Sequence, residues 1–156
     1  MKFRAEFPLP DVEWEPLRPF WAGAARRELV LPRCTGCGRY VWYPDGPCRR
    51  CGGGTTPEWT RVSGRGRLFS WSIVHRAFIP QLASLVPFVT GLVAIDEDPA
   101  LRLATLVVDC PHDRLRMDMP VAVTFRPLQF TGVEGSVLAP LFAPSQGTSS
   151  ASAPST

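Results

Sequence analysis

Four cysteines, spaced as Cys34-x-x-Cys37, ten intervening residues and then Cys48-x-x-Cys51, constrain this chain more than any other feature. Each Cys-x-x-Cys makes a tight turn that presents two sulfurs to one ion. Two such turns complete a tetrahedral four-sulfur site. Glycines surround both turns, Gly36 and Gly38 at the first and Gly52 to Gly54 after the second, where positive backbone angles are needed. Zinc is the expected ion, and iron in a rubredoxin-like site is the chemical alternative, since it accepts the same ligands. Four protein thiolates close the coordination sphere and leave no position for water or substrate. The ion is therefore expected to be structural, folding a segment too small to have its own core.

Two disulfides would be the competing use of these cysteines, and the compartment argues against them. The first residues, Met1-Lys2-Phe3-Arg4-Ala5-Glu6, lack the apolar core of a signal peptide, and no run of about 18 apolar residues follows. A cytoplasmic chain is expected, with no membrane span. Hydrophobic residues are 45% and charged residues 20% of the 156, the balance of a globular protein. Charge is uneven. Residues 1–67 carry twelve basic and seven acidic side chains, and residues 68–156 carry five and seven. Arg33, Arg39, Arg49 and Arg50 lie beside the cysteines. They either offset the formal −2 of a four-thiolate zinc or meet an anionic partner, such as nucleic acid or a CoA phosphate.

Seventeen prolines argue against an all-helical fold. The expected class is mainly β, in four segments. Residues 1–29 form an extended arm and one or two short helices. In these helices Trp14, Leu17, Phe20, Trp21, Ala24 and Ala25 recur at helical spacing. That aromatic face covers either the chain's own core or a partner protein, with Trp14, Phe20 and Trp21 as the candidate interface. Residues 30–60 form the zinc ribbon. Residues 61–144 carry strands over 68–75, 88–95, 101–108 and 121–125, and a fifth within 133–141. Five short strands point to a closed OB-fold barrel, with Gly64, Gly66 and Gly91 expected at sharp bends. Residues 145–156 are low in complexity and expected to be disordered. The apolar, proline-bounded connection 76–87 is longer than an inert loop needs to be.

With these elements in place, the chain resembles a known family of uncharacterised-domain proteins. The residues that carry the resemblance are Leu29 to Gly38, Trp42-Tyr43-Pro44, Cys48 to Gly52, Val62 to Trp71, Pro87 to Asp96, Met119 to Phe125 and Pro140 to Pro144. Members join a rubredoxin-like zinc ribbon to an acyl-CoA-associated OB-fold. The match spans roughly residues 14–144. One departure is Asp118, where the family usually has glycine. The resemblance implies an accessory role beside thiolase-superfamily enzymes: thiolases, hydroxymethylglutaryl-CoA synthases or lipid-transfer-protein-like aldolases of steroid side-chain breakdown. Enoyl-CoA hydratase-like chains are a further implied partner.

On that reading the chain is no enzyme and helps assemble its partner or position an acyl-CoA substrate. Arg65 and Arg67 would meet phosphates, and His75, Arg76, Phe78 and Phe88 would surround the acyl or pantetheine portion. The bland reading is that the two phenylalanines fill the barrel and the arginines are solvated. A nucleic-acid-binding ribbon and OB-fold is the alternative function. It is disfavoured because the barrel half is net acidic and its second and third strands carry Arg102 alone as a base. Cys110, with His75 or His112, offers a formal Cys–His pair, but nothing in the spacing demands catalysis.

Overall fold

A computed structural model describes residues 4–53 and 56–145. The tail expected to be disordered lies outside them apart from Ser145. The expected extended arm is instead a run of turns. The Phe7 amide donates to the Arg4 carbonyl and the Leu9 amide to the Glu6 carbonyl. Arg4 closes the loop on Asp11 at 2.9 Å, and Leu9 is buried. One 3-10 turn, Glu15–Leu17, leads into helix α1, Arg18–Ala25. Pro16 and Pro19 each sit in the first turn of their element, where the missing N–H costs nothing.

Strand β1 (Val30–Arg33) pairs antiparallel with β2 (Glu58–Arg61), and the cysteine segment is the long excursion between them. The barrel strands are β3 (Arg65–Val74), β4 (Phe88–Ile95), β5 (Arg102–Val107), β6 (Met119–Leu128) and β7 (Val137–Pro144). They close in the order β3-β4-β5-β7-β6, with a parallel contact between β5 and β7 at Val107 and Phe142. This is the five-stranded barrel expected from the spacing of the apolar runs. Strand β4 shows why: Val89, Gly91, Val93 and Ile95 alternate inward, and the residues between them face out.

Of the glycines expected at bends, Gly64 takes φ of 74° just before β3. Strand β3 carries a bulge at Phe69, where pairing passes from Leu68–Val93 to Ser70–Leu92. Arg102 covers that exposed ring at 4.1 Å. Gly66 instead permits a close approach, since a Cβ there would lie 2.4 Å from the Ala94 carbonyl oxygen.

Ribbon and barrel share one core. Phe20, Leu29 and Leu31 from the N-terminal part join Leu68, Val93, Val121 and Phe142 from the barrel. The β4–β5 turn adds polar ties. Asp98, 5% exposed, accepts bonds from Arg39 Nη2 at 2.8 Å and from the Tyr40 and Ala100 amides. Glu97 accepts one from the Ser63 amide. Among the described residues, no helix is long and apolar enough to cross a membrane.

Candidate functional site

The two cysteine turns are near-copies. The Gly38 amide donates to the Cys34 carbonyl and the Gly52 amide to the Cys48 carbonyl, both at 2.8 Å. The Cys34 amide donates to the Arg39 carbonyl and the Cys48 amide to the Gly53 carbonyl, again five residues on. Gly38 and Gly52 take φ of 70° and 68°, the left-handed region that glycine enters without penalty. The first turn is further braced by Arg33, whose Nε donates to the Gly38 carbonyl at 2.7 Å.

These turns bring the four sulfurs within 4.8 Å of one another. Cys34 and Cys51 stand 3.7 Å apart, and Cys37 and Cys48 3.8 Å. A tetrahedron of Zn–S bonds of about 2.3 Å has edges of about 3.8 Å, which these two edges match, so the donor set fits that ion. The separations are far beyond a disulfide bond of about 2.05 Å. The thiols differ in acidity. Cys48 is lowered to about 7, first by the Arg50 backbone amide and then by that of Cys51. At Cys51 the lowering by the Gly53 backbone is outweighed by the neighbouring thiols, Cys34 foremost, and the group rises to about 11.

Two clefts meet at the Trp42-Tyr43 pair, beside the ribbon. An apolar one of about 610 Å³ lies between α1, the Trp42-Tyr43 pair and the β3–β4–β5 sheet with β7. No basic residue lines it, unlike the grooves that track a nucleic-acid backbone. A polar one of about 340 Å³ lies against the ribbon, with Arg39, Arg49 and Arg50 in its wall. Trp42 and Tyr43 line both. Trp42 packs on Phe20 at 5.0 Å and stacks on Tyr43 at 4.7 Å.

The residues picked from sequence for acyl-CoA do not form one site. Arg65 and Arg67 start β3, and Arg67 donates to the Asp118 carbonyl. His75 and Arg76 follow its far end, roughly 30 Å away at strand rise. Phe78 does not fill the barrel: it is 85% exposed. Phe88 is half-buried and, with Leu82, Leu85, Cys110 and His112, lines a third cavity of about 780 Å³. Of the candidate interface aromatics, Trp14 is 48% exposed, but Phe20 is buried in the core and Trp21 packs beside it. Phe20 is thus committed inside the chain and offers no anchor. Burial raises the Cys110 thiol above its ordinary value, offset by Arg114 and Arg116, which disfavours the nucleophilic thiolate. The wall shared by the two clefts was missed. Trp42 and Tyr43 stood in the motif, but nothing in their spacing shows that they bridge ribbon and barrel.

Residues 21–58 match the family described as ChsH2, rubredoxin-like zinc ribbon domain. Residues 59–126 match ChsH2, C-terminal OB-fold domain. The chain belongs to the ChsH2 family. Its curated relatives include DUF35 domain-containing scaffold proteins from two archaea. The protein of Methanocaldococcus jannaschii is 28% identical over 70% of this chain and 75% of its own length. That of Methanothermobacter thermautotrophicus is 28% identical over 72% and 82%. Among solved structures, a chain of the Ltp2-ChsH2(DUF35) aldolase is similar with a TM-score of 0.70 and 24% identity, over 87% of this chain and 98% of that one. A DUF35-family protein of unknown function from Sulfolobus solfataricus is similar with a TM-score of 0.50 and 12% identity, over 82% and 84%. These structural likenesses extend the ChsH2 assignment at the level of fold.

Proposed function

We propose that this ChsH2-family chain is a non-catalytic scaffold subunit that binds a thiolase-superfamily acyl-CoA enzyme, an aldolase foremost, and that its four cysteines hold a structural zinc. The observation that carries this reading is the match, over 70% of the chain, to relatives that are scaffold proteins. The surface supplies a means of docking. The 76–87 connection projects Phe78 into solvent, yet it is not slack. The Ala83 amide donates to the Pro80 carbonyl, the Thr131 amide to the Gln81 carbonyl, and the Ser84 and Thr131 hydroxyls bond at 2.9 Å. A pre-ordered aromatic of this kind is how a protein interface is anchored at low entropic cost.

The test is co-expression of the tagged chain with a thiolase-like aldolase from its own genome, followed by capture and zinc analysis. A stoichiometric complex with one zinc per chain is expected, and Phe78→Ala should weaken it about 10- to 30-fold. Capture of an enoyl-CoA hydratase-like chain would extend the assembly. A chain that captures no acyl-CoA enzyme, or that comes out with RNA, would sink the reading.

A further inference from the structure

We propose that the arginine face at the start of β3 docks an extended, carboxylate-rich segment of a partner protein. Arg65 and Arg67 are exposed there and alternate with the buried Gly66 and Leu68. Arg102 lies two strands over in the same row, since Arg67 pairs with Ala94 and Ala94 with Arg102. Phe69 follows at the bulge, 42% exposed, with the Arg102 guanidinium over its ring. None of these arginines forms an ion pair among the described residues. Acids are close at hand. The Asp96 amide donates to the Arg65 carbonyl, and the Arg67 guanidinium donates to the Asp118 carbonyl. Neither carboxylate comes within ion-pair distance of an arginine, so the positive charge of this face is left uncompensated by the chain itself.

Two of the guanidinium groups are held in place. Arg67 Nη1 is tied to the Asp118 carbonyl at 3.1 Å, and Arg102 Nη1 to the Leu101 carbonyl at 3.1 Å and to that of Pro99. A guanidinium has five N–H donors, so each keeps others free to form a fork with a carboxylate. Fixing them in advance lowers the entropic cost of binding. Spacing selects the occupant. The backbones of Arg65 and Arg67 are about 6.7 Å apart, which is the repeat of alternate side chains in an extended peptide. Those of Arg67 and Arg102 are about 9.6 Å apart, two strand spacings. Separate carboxylates on an extended segment match this layout better than one phosphate, which gathers its donors around a single centre. A nucleic-acid strand needs free aromatic faces for its bases. Arg102 already lies over that of Phe69, and the other exposed aromatics, Trp14, Tyr43 and Phe78, stand outside the barrel strands.

The inference does not rest on the scaffold reading, whose anchor, Phe78, follows the far end of β3. NMR titration of the full, zinc-loaded chain with octaglutamate tests it. The amides of residues 65–69, 94 and 102 are expected to shift together and to saturate. Raising the ionic strength from about 0.02 M to about 0.3 M should weaken binding at least about fivefold. Arg65→Glu removes a side chain that makes no bond within the fold, and should weaken binding at least about fivefold. Arg102→Lys keeps the charge but loses the fork and the ring contact, and should weaken it about threefold. Arg18→Glu, the same change of charge beside Val137 at the other end of the barrel, should leave it unchanged. Shifts centred on the ribbon arginines, binding untouched by Arg65→Glu, or no binding at all would overturn the proposal. So would octadeoxythymidylate binding as tightly at the same residues, which would make this a nucleic-acid surface. Displacement of octaglutamate by an equal concentration of CoA would overturn it too, in favour of a phosphate ligand. If octaglutamate fails to bind while the aldolase is still captured, the scaffold reading stands and the acidic partner falls.

Discussion

The ribbon and the barrel solve the same problem, how to hold a short β structure together, by opposite means. The barrel encloses Leu68, Val93, Val121 and Phe142, each essentially without exposure, inside five hydrogen-bonded strands. Apolar burial at about 25 cal/mol per Å² and a closed ladder suffice there. The ribbon's first strand lends Leu31 to the shared core, but the long excursion between its two four-residue strands has two buried thiols where a core would be. Backbone bonds around Gly38 and Gly52 shape its turns. On the proposed reading a bound zinc would serve that excursion as its core, and the barrel has no need of one.

The largest expected effect follows from removing that core. Structural zinc in such segments contributes about 10–16 kcal/mol near neutral pH. Chelation, or Cys48→Ser, is expected to expose the amides of residues 34–53 to rapid hydrogen exchange while the barrel strands keep their protection. If β3 to β7 lost protection together with the ribbon, the two regions would be one cooperative unit and the contrast would fail. The pH dependence has a definite sign. Zinc needs thiolates, so a thiol at about 11, such as Cys51, must give up a bound proton at neutral pH, whereas Cys48, at about 7, is already half ionised there. Apparent zinc affinity should therefore rise steadily from about pH 6 to about pH 8 and weaken in acid. A competition titration with a chromophoric chelator measures it.

The seam between the regions is the next place to press. Asp98 joins a buried carboxylate of the barrel to Arg39 and Tyr40, immediately after the first cysteine turn. Asp98→Ala leaves those donors without their acceptor and is expected to cost about 1–3 kcal/mol. The loss should appear as faster exchange in the ribbon and at the Trp42 wall, with the strands of the barrel little changed. Equal loosening of β4 and β5 would mean that Asp98 serves the turn that carries it rather than the seam.

What the sequence made legible divides along the same line. The metal turns could be read because thiol spacing and glycine placement are local, and local geometry fixes them. The barrel strands could be read because alternation such as Val89, Val93 and Ile95 is local too. Some of their ends moved: the strand expected over 101–108 is one residue shorter at each end, and the fourth barrel strand runs three residues beyond Phe125, through a proline and two residues of mixed polarity that carry no alternating signal. What could not be read depends on distance in the chain. Asp96-Glu97-Asp98-Pro99 reads only as a turn until Arg39 arrives from 59 residues away. Phe20 and Trp14 look alike as helix aromatics, and only the packing of β1 and the barrel separates a core residue from an exposed one. The same holds for Phe78, whose loop is apolar by composition yet faces solvent.

The smallest effect concerns Asp118, the position where the resemblance leads one to expect a glycine. Asp118 precedes β6 with φ of 58°, the left-handed conformation that glycine adopts freely. The turn geometry is therefore retained, and aspartate is among the few residues that tolerate it. Its amide donates to the Leu68 carbonyl, and its own carbonyl accepts from the Arg67 guanidinium, so both bonds use Asp118's backbone atoms and survive a change of its side chain. Asp118→Gly relieves the strained angle but frees the unfolded chain, and the two effects nearly cancel. A net stabilisation of about 0.5 kcal/mol is expected, whereas Asp118→Val, with a branched Cβ in the same conformation, should cost about 1–2 kcal/mol. Denaturant melts of the zinc-loaded variants give both values. Because the turn joins β3 to the start of β6, any change belongs to the barrel, and zinc affinity should not move. A shift in zinc affinity at Asp118→Val would show the ribbon reading the barrel's stability, which is the coupling the two separate solutions argue against.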